Sequence, residues 1–252
     1  MIFKSIYIKN IFDIIIPNKL QPKIIEIIND DENMIIASNF DDLYYIRYTE
    51  KIGEEESDNY SGLGEIIIDN DIYNKINKLV NIWPKSKFSI IKEEKSIIIE
   101  IIENGSLRET PVNIDCVFDI LLDEIYSLCV PEGMKANCLV DSVSIKNMLE
   151  FCNDKNYVII RVLNNGLIIN NYNKTIGSKV DIDELYITPK KSIVLKDESI
   201  NLLCMFLECL CSKYKGLLYL FFLEEEYAFS VKTTPLKSNN LFGDIQIFIE
   251  HF

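Results

Sequence analysis

At 252 residues and 29.2 kDa, with 48% hydrophobic residues and no long Gly, Ser or Pro tract, the chain can bury one or two cores of ordinary size, which excludes a disordered or fibrous protein. A formal charge of −13 and a pI of about 4.6 disfavour binding along an open nucleic-acid surface, because phosphate contacts are driven by Lys and Arg. Positive charge gathered on one concave face still permits an acidic protein to hold DNA.

The chain opens with an alternating strand, Phe3 to Ile8, followed by a short amphipathic helix from Asn10 to Ile16. Strands Ile24 to Ile28, Met34 to Ser38 and Leu43 to Tyr48 come next, the first two joined by the polar turn Asn29-Asp30-Asp31-Glu32-Asn33. The same order returns with strand Glu65 to Ile68 and a helix capped by Asp69 or Asp71 that runs to Ile82 and is ended by Pro84. Strands Phe88 to Ile91, Ile97 to Ile102 and Leu107 to Val112 complete it. A third round has strand Asn137 to Val140, a helix Val143 to Cys152 behind Ser142 as N-cap, and strands Tyr157 to Leu163 and Leu167 to Asn170. Between those two strands, Asn164-Asn165-Gly166 is the strongest short hairpin signal in the chain. The last strand of this round is placed near Lys179 to Ile182. The fourth round reads strand Ile193 to Leu195, helix Glu198 to Lys213, and strands Leu217 to Leu223, Tyr227 to Val231 and Asp244 to Ile249.

Four copies of strand-helix-strand-strand-strand predict an α+β protein of two similar domains, each with two β-α-β-β-β units and its helices on one face of antiparallel sheets. The segment Asp115 to Lys135 fits neither pair and carries acidic residues, Pro131 and Gly133. It reads as a connection, giving domains at 1–114 and 136–252 with an interdomain loop at 115–135.

Chemistry is sparse. His251 is the single histidine, which weighs against Ser-His or Cys-His catalysis, and the sequence has no G-x-x-x-x-G-K-[ST], G-x-G-x-x-G or metal-ligand cluster. Cys116, Cys129, Cys138, Cys152, Cys204, Cys209 and Cys211 are odd in number and lack C-x-x-C pairing, so they read as reduced core residues of an intracellular protein. Lys4, Lys9 and Asp13 interrupt the apolar N-terminal stretch, which is therefore not read as a signal peptide, and no window offers the roughly 20 apolar residues of a membrane span. A soluble protein of the nucleus or cytosol is expected, with no cofactor, no metal and no membrane partner.

The basic residues gain meaning on the helices. With Ile72, Ile76 and Leu79 as the apolar stripe of the second helix, Lys75 and Lys78 fall on or beside the opposite face. With Ile145, Met148, Leu149 and Cys152 as the stripe of the third, Lys146 projects away, and Lys213 and Lys215 close the fourth. Asp13, Glu150 and Glu208 are expected on the same faces.

Several segments carry a family resemblance. Leu128-Cys129-Val130-Pro131-Glu132 resembles the end of the interdomain loop of the proliferating-cell-nuclear-antigen (PCNA) family of sliding clamps. Asn33 to Asp41 is similar to that family's early segment ending in a small residue, a large apolar residue and Asp, and Asn165-Gly166-Leu167 sits where the family has an Asp-Gly-Val turn. Ser199 to Leu203 resembles the start of the last clamp helix. The resemblance spans essentially the whole chain and implies a DNA-clamp fold and a non-enzymatic processivity factor that encircles duplex DNA without reading sequence. It further implies a homotrimeric ring closed through the edge strands near Leu107 to Val112 and Lys179 to Ile182. A DNA polymerase and a clamp loader are the implied partners, in replication and repair, in the nucleus or at a cytoplasmic replication site if the protein is viral. Lys75, Lys78, Lys146, Lys213 and Lys215 would then face DNA, and Phe40, Leu128, Val130, Pro131, Tyr227 and Ile249 would form the partner pocket. Three departures stand out: the chain ends Ile249-Glu250-His251-Phe252 where the family usually has a Leu-Ala-Pro-Lys type segment, the proline of the preceding hairpin is replaced near Tyr227, and Asn164 replaces a commonly modified lysine. Those departures leave open a checkpoint-clamp subunit, a viral clamp-like factor serving transcription or monomeric processivity, or a scaffold that does not bind DNA.

Overall fold

The first residues fold differently from the alternation they display. Strand β1 is only Ile2–Lys4, and helix α1 already begins at Ser5 and runs to Ile15. Phe3, Ser5 and Tyr7 are buried, as an alternating strand requires, but so are Ile8, Ile11, Phe12, Ile14 and Ile15, which is a helical period. The Ser5 N–H still donates to the Ser86 carbonyl at 2.9 Å, the next rung of the pairing with the strand that follows Ser86, yet the helix starts at this residue, five before the Asn10 expected.

The structure, a computed structural model, describes residues 1–17, 20–30, 32–40, 44–51, 60–92, 96–103, 106–113, 130, 134, 136–153, 157–163, 166–171, 173–179, 192–223, 227–234, 236, 241 and 243–250. After α1 come β2 (Ile24–Asn29), β3 (Asn33–Phe40), β4 (Tyr44–Lys51), β5 (Tyr60–Ser61) and β6 (Gly64–Asp69). Helix α2 (Asn70–Ile82) leads to β7 (Lys87–Lys92), β8 (Ser96–Glu103) and β9 (Ser106–Asn113). Then follow β10 (Cys138–Asp141), α3 (Ser142–Cys152), β11 (Tyr157–Leu163), β12 (Gly166–Asn170) and β13 (Thr175–Lys179). The last elements are β14 (Ser192–Lys196), α4 (Asp197–Lys213), β15 (Leu217–Phe222), β16 (Tyr227–Thr233) and β17 (Asp244–Glu250). The fourfold strand-helix-strand-strand-strand order is present, and the architecture is mixed α+β.

The chain divides into two compact units, the first holding most of β1 to β9 and the second most of β10 to β17. The division is not at one point, since Leu43–Ile46 group with the second unit and Lys237–Gly243 with the first. Most of the interdomain loop expected at 115–135 lies outside the described residues.

Within each unit the two repeats exchange their first strands. In the first unit β1 pairs antiparallel with β7, giving the order β5-β1-β7-β8-β9, while β6 pairs antiparallel with β2 beside β3 and β4. In the second unit β10 pairs antiparallel with β15 in the order β10-β15-β16-β17, and β14 pairs antiparallel with β11 in the order β13-β12-β11-β14. Helices α1 and α2 pack on each other and against β2, β3 and β6; α3 and α4 pack on each other and against β10 to β14. The cores are accordingly the helix-facing side chains, Ile25, Ile27, Ile36, Ile66 and Ile68 in one unit and Val158, Ile160, Leu167, Ile169, Ile193 and Leu195 in the other.

Caps fix the helix starts. The Asp69 carboxylate accepts from the Ile72 N–H at 2.9 Å, as expected. At α3 the cap is Asp141, which accepts from the Ser144 N–H at 2.9 Å; Ser142, expected in that role, is instead the first helical residue and buried. Strand β13 occupies Thr175–Lys179, paired from Asn170↔Thr175 to Gly166↔Lys179, so it ends where the strand expected at Lys179 to Ile182 begins. Residues 180–182 lie outside the described residues.

Two buried carboxyl groups shape the first unit. Tyr7 Oη donates to Glu50 Oε2 at 3.0 Å, Tyr48 Oη donates to the same oxygen, and Tyr48 Oη also accepts from the Gly243 N–H at 3.2 Å. Gly243 has to be glycine, because a Cβ there would lie 2.2 Å from the Thr49 carbonyl oxygen. Burial first, then Tyr48 and Glu50, raises the Tyr7 phenol well above its ordinary value, so it stays a neutral donor. Replacing Tyr48 by Phe removes two hydrogen bonds around the buried Glu50, and should lower stability by roughly 1–3 kcal/mol in urea titration. An unchanged midpoint would show that the carboxylate is satisfied without Tyr48.

Glu26 is buried between Ala37 of β3 and Ile67 of β6, and its Oε1 has no hydrogen-bond partner. Burial, then the Glu65 charge, pushes its carboxyl up to about 7. The folded chain therefore keeps this proton to a higher pH than the unfolded chain. The contribution to stability is fully present below the unfolded value of 4.5 and is lost as pH rises through about 7. A Glu26→Gln variant should raise the denaturation midpoint at pH 8 while changing it little at pH 4.5. Parallel pH profiles for the two proteins would assign the titration to another group.

Candidate nucleic-acid interface

Each unit presents the outer faces of a helix pair. On α2 the buried stripe is Ile72, Ile76 and Val80, with Leu79 only half-buried at its margin. The opposite face holds Asp71, Asn74, Lys75, Lys78, Asn81 and Ile82, all exposed. Lys75 and Lys78 thus reach solvent where the helical period places them, and Ile82 is 63% exposed at the end of the same face. The asparagines are a feature the sequence reading passed over: Asn74, Asn77 and Asn81 recur at intervals of three and four, the spacing of one helical side. Asn81 Nδ2 donates to the Asn77 carbonyl oxygen and Oδ1 at 2.7 and 3.1 Å. Neutral amides of this kind bond phosphate oxygens without adding charge.

Lysines of α1 and α3 are compensated. Lys9 Nζ lies 3.1 Å from Asp13 on α1. On α3 the stripe is Ile145, Met148, Leu149 and Cys152, as expected, but Lys146 does not simply project away: it is half-buried, with Nζ 2.6 Å from Glu150 Oε1. The hydrogen bond to Glu150 comes first among the causes that raise the Lys146 ammonium, with Cys211 and Glu208 of α4 adding to it. Lys146 therefore leans over the seam between α3 and α4, in the company of Glu150 and Glu208. Lys213 is half-buried in the last turn of α4, where it suits the negative end of the helix dipole, and Lys215 is exposed just past the helix end.

This arrangement supports weak, salt-sensitive phosphate contact from α2 and little from the α3–α4 seam. It supports no base reading. The arginines, Arg47, Arg108 and Arg161, lie in β4, β9 and β11 and none on a helix, whereas bidentate Arg contacts are the commonest way of specifying a base.

The residues expected in a partner pocket are placed as follows. Phe40 ends β3 in the first unit and is buried, Ile249 lies in β17 of the second and is fully buried, and Val130 is half-buried. Tyr227 opens β16, and its side chain, with Leu128 and Pro131, lies outside the described residues. Among the described residues no three His, Cys, Asp or Glu side chains gather as metal ligands, and no helix is long and apolar enough to cross a membrane. Burial pushes the Cys138 thiol to about 12 and that of Cys204 to about 11, which leaves neither as a nucleophile at neutral pH.

No family model and no curated protein matches the sequence. Among solved structures, the chain is similar to the crystal structure of proliferating cellular nuclear antigen from Entamoeba histolytica, with a TM-score of 0.62 and 10% identity over 99% of this chain and 96% of that one. At that identity the likeness establishes the fold, a PCNA-like clamp fold, along the whole chain.

The compensation of charge gives a measurable expectation. In anisotropy titrations with a random-sequence duplex, replacing Lys75 and Lys78 together by Ala should reduce the slope of log affinity against log salt by about 2, one per phosphate contact. Lys146→Ala should leave the slope nearly unchanged. The reverse ranking would assign phosphate contact to α3.

Proposed function

We propose that the chain is a sliding-clamp subunit that encircles duplex DNA, tethers a polymerase and other replication or repair proteins, and catalyses nothing itself. The observation that carries this reading is agreement in fold over 99% of the chain with a solved clamp antigen. The chemistry of the helices agrees with it: lysines and amides without arginine suit a duplex that must move past the protein, and topological retention removes the need for strong static contacts. On this reading Lys75 and Lys78 carry most of the phosphate contact, and Lys146, Lys213 and Lys215 contribute less. Edge strands β9 and β13 are available for head-to-tail closure between copies. The partner pocket is assigned to Phe40, Leu128, Val130, Pro131, Tyr227 and Ile249.

A second reading has one specific observation in its favour. The α3–α4 seam sets Glu150 and Glu208 against Lys146, so the second unit offers duplex DNA little attraction. A subunit of a mixed ring, or a clamp-like factor that works as a monomer, tolerates such a face better than a ring of three identical chains.

Two measurements separate these. Light scattering should give a mass near three times 29.2 kDa for the homotrimer, whereas a stable single-chain mass favours the second reading. Encirclement itself is tested on a linear duplex tethered to a surface at one end. A ring threaded onto the duplex should survive a wash only when the free end is capped with a bulky protein after threading, and should slide off when that end stays open. Equal retention on open and capped duplexes would overturn encirclement.

A further inference from the structure

The four-stranded sheet β13-β12-β11-β14 has one face against α3 and α4 and the other turned outward. The outward side chains are Tyr157, Ile159, Arg161 and Leu163 on β11, Gly166, Ile168 and Asn170 on β12, Thr175 and Gly177 on β13, and Ser192, Val194 and Lys196 on β14. On an ordinary solvated face these positions would be polar. Here Tyr157 is 39% exposed, Leu163 48% and Val194 48%, and Ile159 and Ile168 are half-exposed beside them.

Register makes the patch continuous. Ile159 is opposite Val194 on one side and Asn170 on the other, Arg161 lies between Ile168 and Ser192, and Tyr157 is opposite Lys196. Gly177 is opposite Ile168, and the Ile168 side chain lies 3.7 Å from where a Cβ on Gly177 would be, so this part of the face is low and open.

Charge on the face runs against that of the chain. Asp and Glu outnumber Lys and Arg by 39 to 26 overall, yet among the described residues the face carries Arg161 and Lys196 and no acid. Arg161 stands in the middle of the apolar band, where its guanidinium is exposed and fitted to grip a carboxylate with two parallel hydrogen bonds.

Size narrows the occupant. Four strands and seven residues span about 14 Å by about 20 Å, well short of the ~800 Å² that each partner contributes to a standard interface between folded proteins. We infer that this outward face is a docking surface for a short acidic peptide segment of a partner protein, with aliphatic or aromatic anchors seated around Arg161. The inference does not rest on encirclement of DNA, because it uses only the sheet face remote from the helices.

The probe is a fluorescein-labelled twelve-residue peptide alternating Asp or Glu with Leu or Phe, titrated by anisotropy against the whole chain. Two control peptides replace the acids by Lys or the apolar residues by Ser. The acidic apolar peptide should bind, both controls should bind at least tenfold more weakly, and affinity should fall as salt is raised. Arg161→Glu and Val194→Asp, both at exposed positions, should each weaken binding at least tenfold with unchanged circular dichroism and melting temperature, whereas Lys75→Glu should have no effect. Absence of binding, equal affinity for the lysine peptide, or undiminished binding by both face variants would each overturn the assignment. So would a lower light-scattering mass for Val194→Asp than for the wild type, since the face would then belong to a second copy of the chain.

Discussion

Everything in the two units depends on the exchange of first strands between repeats. A β-α-β-β-β repeat with its own strands in order would leave an open edge and a helix covering too narrow a sheet. By lending β1 to β7 and taking β6 beside β2, the two repeats of the first unit close their sheets on each other's edges, and β10 and β14 do the same in the second. The helix that follows each lent strand is thereby pulled across to its counterpart, which pairs α1 with α2 and α3 with α4 on the covered faces. The outer helix surfaces, and the lysines on them, are consequences of that pairing.

Much of this plan was legible because local signals were strong. Asp69 and the Ile72/Ile76 spacing defined α2, and the apolar runs on either side of Asn164-Asn165-Gly166 defined β11 and β12. The failures have physical causes. Phe3, Ser5, Tyr7 and Ile8 satisfy both a strand and a helix period, and the burial of Ile8, Ile11, Phe12 and Ile15 on one helical face goes with the helix. Ser142 and Asp141 are both good caps, and the choice depends on which carboxylate or hydroxyl reaches the free N–H groups. Thr175-Ile176-Gly177-Ser178-Lys179 has little strand character of its own and is a strand because β12 offers it an edge.

The candidate site was legible to the same depth. A helical period is enough to expose Lys75 and Lys78, but it cannot show that Lys146 leans towards Glu208 on another helix sixty residues later. Residues named through family resemblance, such as Phe40 and Ile249, came with a role attached but without burial, and both are buried in the folded chain. The electrostatic picture that follows is of a protein whose acidity is general and whose 26 basic residues stand out locally at two lysines on α2 and one arginine in an apolar sheet face.

The Tyr48–Gly243 hydrogen bond joins positions 195 residues apart, inside the first unit. All the strands and helices of that unit are present in the chain once Asn113 has been made. Its Glu50 cluster nevertheless waits for a glycine supplied some 130 residues later, a delay on the order of ten seconds at ordinary rates of synthesis. During that interval the nascent first unit carries a buried carboxylate whose tyrosine partner lacks its last donor. The N-terminal half is thus the first to be synthesised, yet its Glu50 cluster is completed only after β16 of the second unit has been made.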